Sequence, residues 1–349
     1  MEKARFKWVL RERNRKIAAK TEVFTEQQAR RVRSFHSSFK EYSPTPLIEL
    51  TSLAQHLGIK NLFVKDESYR FGLNAFKVLG GSFAIGSYIA NELGEDIDDL
   101  PYMRLVSDEV RSLLGSKTFI TTTDGNHGRG VAWTANRLKQ QAIVYMPQGS
   151  AAERLSNIRA EGAQAEITDM NYDDTVRYTS ELAQKNGWII VQDTAWDGYT
   201  RIPLWIMQGY MTMALEAYEQ LPVKPTHIFL QAGVGSLAGS VQGFFADIYG
   251  SSCPLTFIVE PKGADCLYQT AAANDGSLHS VTGRLETIMA GLACGEPNSI
   301  AWEILGNLSD GFISCPDYTA AQGMRILGNP LAGDTKVSAG ESGAATVGL

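Results

Sequence analysis

The sequence predicts an α/β protein with mainly parallel sheets, divided into two domains. Three observations carry this. Short apolar runs of four to six residues alternate along the chain with longer helix-patterned segments, the order in which parallel sheets are built. Most of the runs are rich in Val, Ile, Phe or Thr, as strands covered on both faces are. The length of 349 residues is about twice the size of an ordinary domain.

Taken in order, candidate strands fall at 61–65, 118–122, 142–146, 165–168, 188–191, 227–230 and 255–260. Between them, 151–162 reads as a helix stopped by Gly162, since glycine is a common helix terminator. A helix over 172–186 follows Asn171, a ready N-cap, and places Asp173 and Asp174 in the first turn, where the helix dipole favours acids. The long helix over 203–220 carries Met207, Met211 and Met213, expected to fill core space. Residues 96–110 are acidic and polar and read as a surface excursion. No internal repeat or low-complexity tract is present, and periodicity alone does not divide the domains.

Composition removes several function classes. Lys+Arg 32 against Asp+Glu 38 gives a net charge of −6, the wrong balance for a general nucleic-acid binder. No apolar run approaches the ~18 residues of a membrane span, and the first twenty residues are charged throughout, unlike a secretory signal. A cytoplasmic protein is expected. Cys253, Cys266, Cys294 and Cys315 form no C-x-x-C pair, and the five histidines are scattered without H-E-x-x-H, so no metal site is expected. Spacing leaves a Cys266–Cys294 disulfide open, although reduced thiols are the expectation in a cytosolic chain. The P-loop and G-x-S-x-G patterns are missing too, which disfavours a P-loop nucleotidase and a serine hydrolase.

Three segments break the pattern. In Asn74-Ala75-Phe76-Lys77-Val78-Leu79-Gly80-Gly81 a helix is expected to begin, yet it carries two glycines that cost about 1 kcal/mol each against alanine. Lys77 sits among apolar neighbours. It is either a lysine snorkelling from an apolar face or a desolvated amine suited to Schiff-base chemistry. In Thr121-Thr122-Thr123-Asp124-Gly125-Asn126-His127-Gly128 a strand ends and a helix starts, at the sheet edge where α/β proteins bind ligands. The bland alternative is an Asp-Gly turn with Asn126 as helix cap. In Gln231-Ala232-Gly233-Val234-Gly235-Ser236-Leu237-Ala238-Gly239 a glycine loop follows a strand and opens a helix. Converging backbone N–H groups and the helix dipole make that an anion cradle. A dinucleotide site stays open here, because Glu260 ends the next strand about 20 residues on, where a ribose-binding acid sits. Its spacing is G-x-G-x-x-x-G rather than G-x-G-x-x-G. An amine, a polar loop for a ring and a phosphate cradle together are what pyridoxal 5′-phosphate requires.

The segments YSPTPL, LFVKDESYRFGLNAFKVLGG, TTTDGNHGRGVAW, DMNYDDTVR, VQDTAWDGYT, QAGVGSLAG, IMAGLACGEPN and GESGA, spread from Tyr42 to Ala344, resemble the fold-type II pyridoxal-phosphate enzymes. That is the group of threonine dehydratase and tryptophan synthase β, and the likeness is strongest to its diaminopropionate ammonia-lyases. The resemblance implies two three-layer α/β domains with the cofactor in the cleft between them, the larger formed by 1–84 and 201–349 and the smaller by 85–200. It implies that Lys77 forms the Schiff base and that Asn126 contacts the phenolic oxygen. Gly233, Val234, Gly235, Ser236, Leu237, Ala238 and Gly239 would hold the phosphate, and Glu341 would line the cofactor site. A homodimer acting on a small amino acid is also implied, with 2,3-diaminopropionate of either hand going to pyruvate and ammonia.

Asp124 stands where related dehydratases carry serine, and in that architecture it faces Lys77 across the cofactor. A lysine on one face and a carboxylate on the other suit removal of the Cα proton from L and D isomers. Asp193, just after another strand, is the candidate second carboxylate, one of the two acting as acid and the other as base. Which takes which role stays open, and the bland reading of Asp193 is a turn or cap residue. The runner-up is a serine or threonine dehydratase of the same fold, against which Asp124 and IMAGLACGEPN count. A nicotinamide-dependent dehydrogenase using Gly233–Gly239 and Glu260 is a third reading. An inactive piece of a longer protein is a fourth, since the group ordinarily continues with a helix and a strand beyond GESGA that supply a partner for the pyridine nitrogen.

Overall fold

The computed structural model describes residues 6–12, 21–123 and 125–349. Every apolar run expected as a strand forms one, with ends moved by a residue or two: β3 (Phe63–Lys65), β4 (Thr118–Thr122), β5 (Gln141–Met146), β6 (Gln164–Ile167), β7 (Ile189–Ile190), β8 (His227–Gln231) and β9 (Leu255–Pro261). Three strands come in addition: β1 (Lys7–Leu10), β2 (Leu47–Glu49) and β10 (Gly311–Cys315). The first two are short and half-exposed, so they lack the buried apolar run that marks the others.

The described residues divide into two compact units. One comprises the described residues up to Thr25, Pro44–Tyr69 and Met213–Leu349. It holds a four-stranded sheet in the order β1-β10-β9-β8, parallel except for β1, and the antiparallel pair β2-β3. The other comprises Glu26–Ser43 and Arg70–Thr212 and holds an all-parallel sheet in the order β6-β5-β4-β7. The smaller domain expected over 85–200 falls inside this second unit, and the position 84/85 lies within a continuous helix, Lys77–Leu93.

Local chemistry sets the helices. Asn171 caps Tyr172–Asn186 as expected, its side chain accepting from the Asp174 N–H at 2.9 Å. The methionines of Arg201–Gln220 are buried. Two expectations are corrected. The Lys77 helix begins at Lys77 rather than at Asn74, because Asn74 has φ +59°, which a right-handed helix does not allow. Residues 96–110 are not merely a surface excursion. They fold into three short helices, Ile97–Asp99, Tyr102–Leu105 and Asp108–Leu114, and bury Ile97, Leu100, Leu105 and Val110.

Lys77–Leu93 and Arg201–Gln220 cross closely in the second unit. A Cβ on Gly209 would stand 2.3 Å from the Leu79 carbonyl oxygen, and one on Gly80 would stand 2.6 Å from the Tyr210 ring. Glycine on both helices is what lets the backbones approach, which explains Gly80; a Cβ on Gly81 would meet Gly130 and Val131 at an ordinary 3.5 Å. Gly209→Ala is expected to destabilise the protein by about 1–3 kcal/mol, read as a lower thermal unfolding midpoint. An unchanged midpoint would contradict the tight crossing.

Candidate active site

In the second unit β7 lies beside β4, with Ile120 opposite Ile190, while β5 and β6 lie on the other side of β4. The chain order therefore reverses between β4 and β7, and open α/β sheets take ligands at the carboxyl ends of strands beside such a reversal. The segment after β4 carries Thr123 and Asn126, and the segment after β7 carries Gln192 and Asp193. Asp124, the expected base for one isomer, lies outside the described residues. Its neighbours are joined by a hydrogen bond from the Gly125 N–H to Thr123 Oγ1, 2.9 Å. Asn126 is the first residue of the helix Asn126–Arg137, whose cap is Gly125 without any side-chain bond. Asn126 is thus not the helix cap that the bland reading made it, and its side chain is exposed.

Asp193 and Lys77 meet. Lys77 Nζ donates to Asp193 Oδ2 at 2.5 Å, with 6% of the Asp193 side chain and 22% of the Lys77 side chain exposed. Burial alone pushes the Asp193 carboxyl upward. The charges of Lys77 and His127 and the Lys77 hydrogen bond outweigh it and hold the pKa at about 2. Asp193 is therefore ionised at neutral pH, and its side chain pairs with Lys77 from a bend in the chain. His127 is buried, and its Nε2 lies 2.7 Å from the Val191 carbonyl oxygen, so Nε2 carries the proton that the carbonyl accepts.

Gln192, buried to 1% exposure, pins the Asp193 segment. Its side-chain oxygen accepts from Thr121 Oγ1 (3.0 Å) and the Thr122 N–H (3.1 Å), and its Nε2 donates to the Tyr172 hydroxyl (2.7 Å). Its backbone N–H donates to the Tyr199 hydroxyl at 2.9 Å. Tyr210, fully buried, responds electrostatically to both Lys77 and Asp193, and burial pushes its phenol well up. Its hydroxyl has no hydrogen-bond partner among the described residues. Sequence reading missed Gln192, Tyr172, Tyr199 and Tyr210. Gln192 lies within VQDTAWDGYT, whereas Tyr210 gave no local signal.

Lys65 is also in a largely buried ion pair, and its geometry excludes it as a nucleophile. Its Nζ donates to the Thr45 carbonyl (2.6 Å), Glu216 (2.9 Å) and Gln220 (2.9 Å), which spends all three ammonium protons.

In the first unit the glycine loop links β8 to the helix Ser236–Tyr249. Gly235 adopts φ +102°, a conformation favouring glycine, and a Cβ there would press on Ala301 and Leu305 at 3.2 Å. Asn298, fully buried, braces the loop. Its side-chain amide donates to Ser236 Oγ at 2.8 Å, its N–H donates to the Val234 carbonyl at 2.8 Å, and its Oδ1 caps the helix Ser299–Leu308. The first amides of a helix have no intrahelical acceptor, so those of Ser236, Leu237 and Ala238 suit a phosphate. Gly239 does not serve this way. Its N–H donates to the Gly235 carbonyl at 2.8 Å, the first bond of the helix. Glu341 opens the short helix Glu341–Ala344 in the same unit and is half-buried.

The dinucleotide reading loses its acid. Glu260 is fully buried and accepts from the Leu267 and Tyr268 N–H groups at 2.9 and 2.7 Å, capping the helix Cys266–Ala273. Burial raises its carboxyl well above the usual range. It offers no oxygen to a ribose. All four cysteines are free, which closes the question of a Cys266–Cys294 disulfide. Among the described residues no helix is long and apolar enough to cross a membrane.

Taken unit by unit, a lysine amine paired at a sheet switch and an exposed asparagine in the second unit, and a braced glycine loop opening a helix in the first, are each of a chemistry that pyridoxal phosphate can use: a carbonyl partner, a polar contact and an anion site. The family model for pyridoxal-phosphate dependent enzymes matches residues 39–349, and the chain belongs to that family. Its fold is the fold-type II α/β arrangement. Among its relatives, diaminopropionate ammonia-lyase of Escherichia coli strain K12 is 52% identical over 331 residues, 94% of this chain and 81% of that protein. The holo crystal structure of the Escherichia coli diaminopropionate ammonia lyase matches with a TM-score of 0.91 and 49% identity, covering 99% of this chain and 86% of that one. The same enzyme in complex with an aminoacrylate-PLP azomethine reaction intermediate matches with a TM-score of 0.89 and 49% identity, over 99% of this chain and 85% of that one.

The Lys77–Asp193 pair has a defined pH signature in the apoprotein. A carboxyl held at about 2 against an unfolded value of about 3.9 contributes about 2–3 kcal/mol. That stability is fully present above about pH 4 and is lost as pH falls toward 2. The stability gap between the wild type and Asp193→Asn, followed by denaturant titration, is expected to shrink across that window. A constant gap would contradict the pairing.

Proposed function

We propose that this chain is a pyridoxal-phosphate-dependent ammonia-lyase acting on D- and L-2,3-diaminopropionate in the cytoplasm. One substrate molecule and one water give pyruvate and two ammonia: elimination yields ammonia and an aminoacrylate, and the aminoacrylate hydrolyses to pyruvate and the second ammonia. The observation that carries this reading is the 2.5 Å contact between the Lys77 amine and a buried, ionised Asp193. Its support is a chain half-identical to diaminopropionate ammonia-lyase along nearly its whole length.

When bound, the cofactor supplies an electron sink for charge developing at the substrate Cα. The residues do the rest. Lys77 would hold the cofactor through its carbonyl carbon, and once the substrate amine has displaced it, its free amine would take the Cα proton from one isomer. Asp193, ionised at neutral pH, orients the amine. Lys77, protonated once it has taken the Cα proton, is then placed to give a proton to the departing β-amino group. Asp124 takes the Cα proton of the other isomer from the opposite face. Asn126 contacts the ring oxygen. The amides from Gly233 to Ala238 hold the phosphate, with Glu341 lining the site. The reading includes a homodimer, as the family resemblance implies, which light scattering of the purified protein tests.

Purified protein supplied with pyridoxal phosphate is expected to release pyruvate from both isomers of 2,3-diaminopropionate and far less from serine. Pyruvate from serine at an equal rate would favour the dehydratase reading. Lys77→Ala is expected to abolish covalent attachment of the cofactor, seen as loss of the visible absorbance band; a retained band would sink the assignment. Asp124→Asn is expected to reduce kcat for the D isomer by roughly 100-fold more than for the L isomer, whereas equal losses would count against its role.

A further inference from the structure

The Tyr210 hydroxyl is a buried donor without an acceptor among the described residues. Leaving such a group unpaired costs about 1–3 kcal/mol, and native proteins retain few of them. Its placement is not an accident of packing. The crossing of Lys77–Leu93 over Arg201–Gln220 sets Tyr210 Cζ, the carbon bearing the hydroxyl, 2.9 Å from where a Gly80 Cβ would stand. Gly80 lies three residues after Lys77 in the same helix, so both occupy one face. Phe76 packs edge-on against the Tyr210 ring, centroids 5.1 Å apart. Two helix-interior glycines, Gly80 and Gly209, thus let this phenol pack against the helix that Lys77 begins. Burial keeps that phenol protonated, so it remains a donor at every working pH.

Asp193 supplies the matching need. Its carboxylate is balanced by the Lys77 ammonium, and a lysine nitrogen bonded to cofactor carbon has fewer protons to give. Tyr199, also within electrostatic reach of Asp193, is tied to the Gln192 and Ile190 backbone. We infer that Tyr210 is a positioning residue of this site, its hydroxyl donating to the Asp193 carboxylate when the Lys77 nitrogen is committed to the cofactor. The inference rests on the proposed role of Lys77 but not on the identity of the substrate.

Tyr210→Phe keeps the ring and removes only the oxygen. The apoprotein variant is expected to unfold at the same or a higher temperature than the wild type, since an unpaired buried group is lost. In the cofactor-loaded protein the pH midpoint of the visible band is expected to rise by roughly half a unit or more, because Asp193 is left more strongly charged beside the lysine nitrogen. With 2,3-diaminopropionate, kcat is expected to fall about ten-fold with little change in KM. An unchanged spectral midpoint overturns the inference, as does a midpoint that moves only together with a lower unfolding temperature, the mark of a structural hydroxyl. The spectral titration needs no substrate. A wild type that releases no pyruvate while the spectral shift persists would count against the proposed reaction and leave this role of Tyr210 standing.

Discussion

A carboxylate held away from water must find a cation or several donors within hydrogen-bond reach, or it takes up a proton and ceases to be charged. At Asp193 the second unit meets that demand, and much of its local architecture follows from doing so. The reversal of strand order between β4 and β7 brings the segment to the sheet edge. Gln192 then ties the backbone beside Asp193 to β4 through Thr121 and Thr122, so the carboxylate has little room to swing toward solvent. The helix of Lys77 starts where its first residue delivers an ammonium. Removing one member of a buried pair is far costlier than the pair is worth against an apolar substitute. The arrangement is thus retained for what it positions rather than for stability alone. An amine already oriented before any ligand arrives loses less freedom when it reacts.

The candidate residues legible in sequence are those whose chemistry is written locally. Lys77 stood out because glycines follow it inside a helix pattern that propensity disfavours, and the reason for the first of them, Gly80, is a neighbouring helix. The Gly233–Gly239 loop was legible because strand, glycines and helix are contiguous. Gln192 and Tyr210 were not, because their importance is tertiary. A glutamine in a loop and a tyrosine in an apolar helix look ordinary until the sheet order and the helix crossing are known. The same holds for the fold. Buried runs announced seven strands, whereas β1 and β2 are too short and exposed to show a period. Polar residues at 96–110 concealed four buried apolar side chains spaced across three short helices.

Glycine-rich strand-to-helix turns bind phosphate by backbone geometry, which is blind to the rest of the ligand. The residues around the turn decide what it serves. A dinucleotide site needs an acid at the end of the following strand with oxygens free for a ribose. Glu260 occupies that sequence position, but both its oxygens accept backbone N–H groups of the next helix inside a fully buried setting. The same residue type at the same spacing is therefore a helix cap here. Asn298 makes the converse point. It closes the IMAGLACGEPN segment, far in sequence from the glycine loop, yet one buried side chain links the Ser236 hydroxyl to the start of a second helix while its backbone holds Val234. A cradle made of backbone amides has no side chains of its own to fix its shape. Its rigidity must come from a neighbour that is itself fully satisfied, and a buried amide with both ends engaged is well suited to that task.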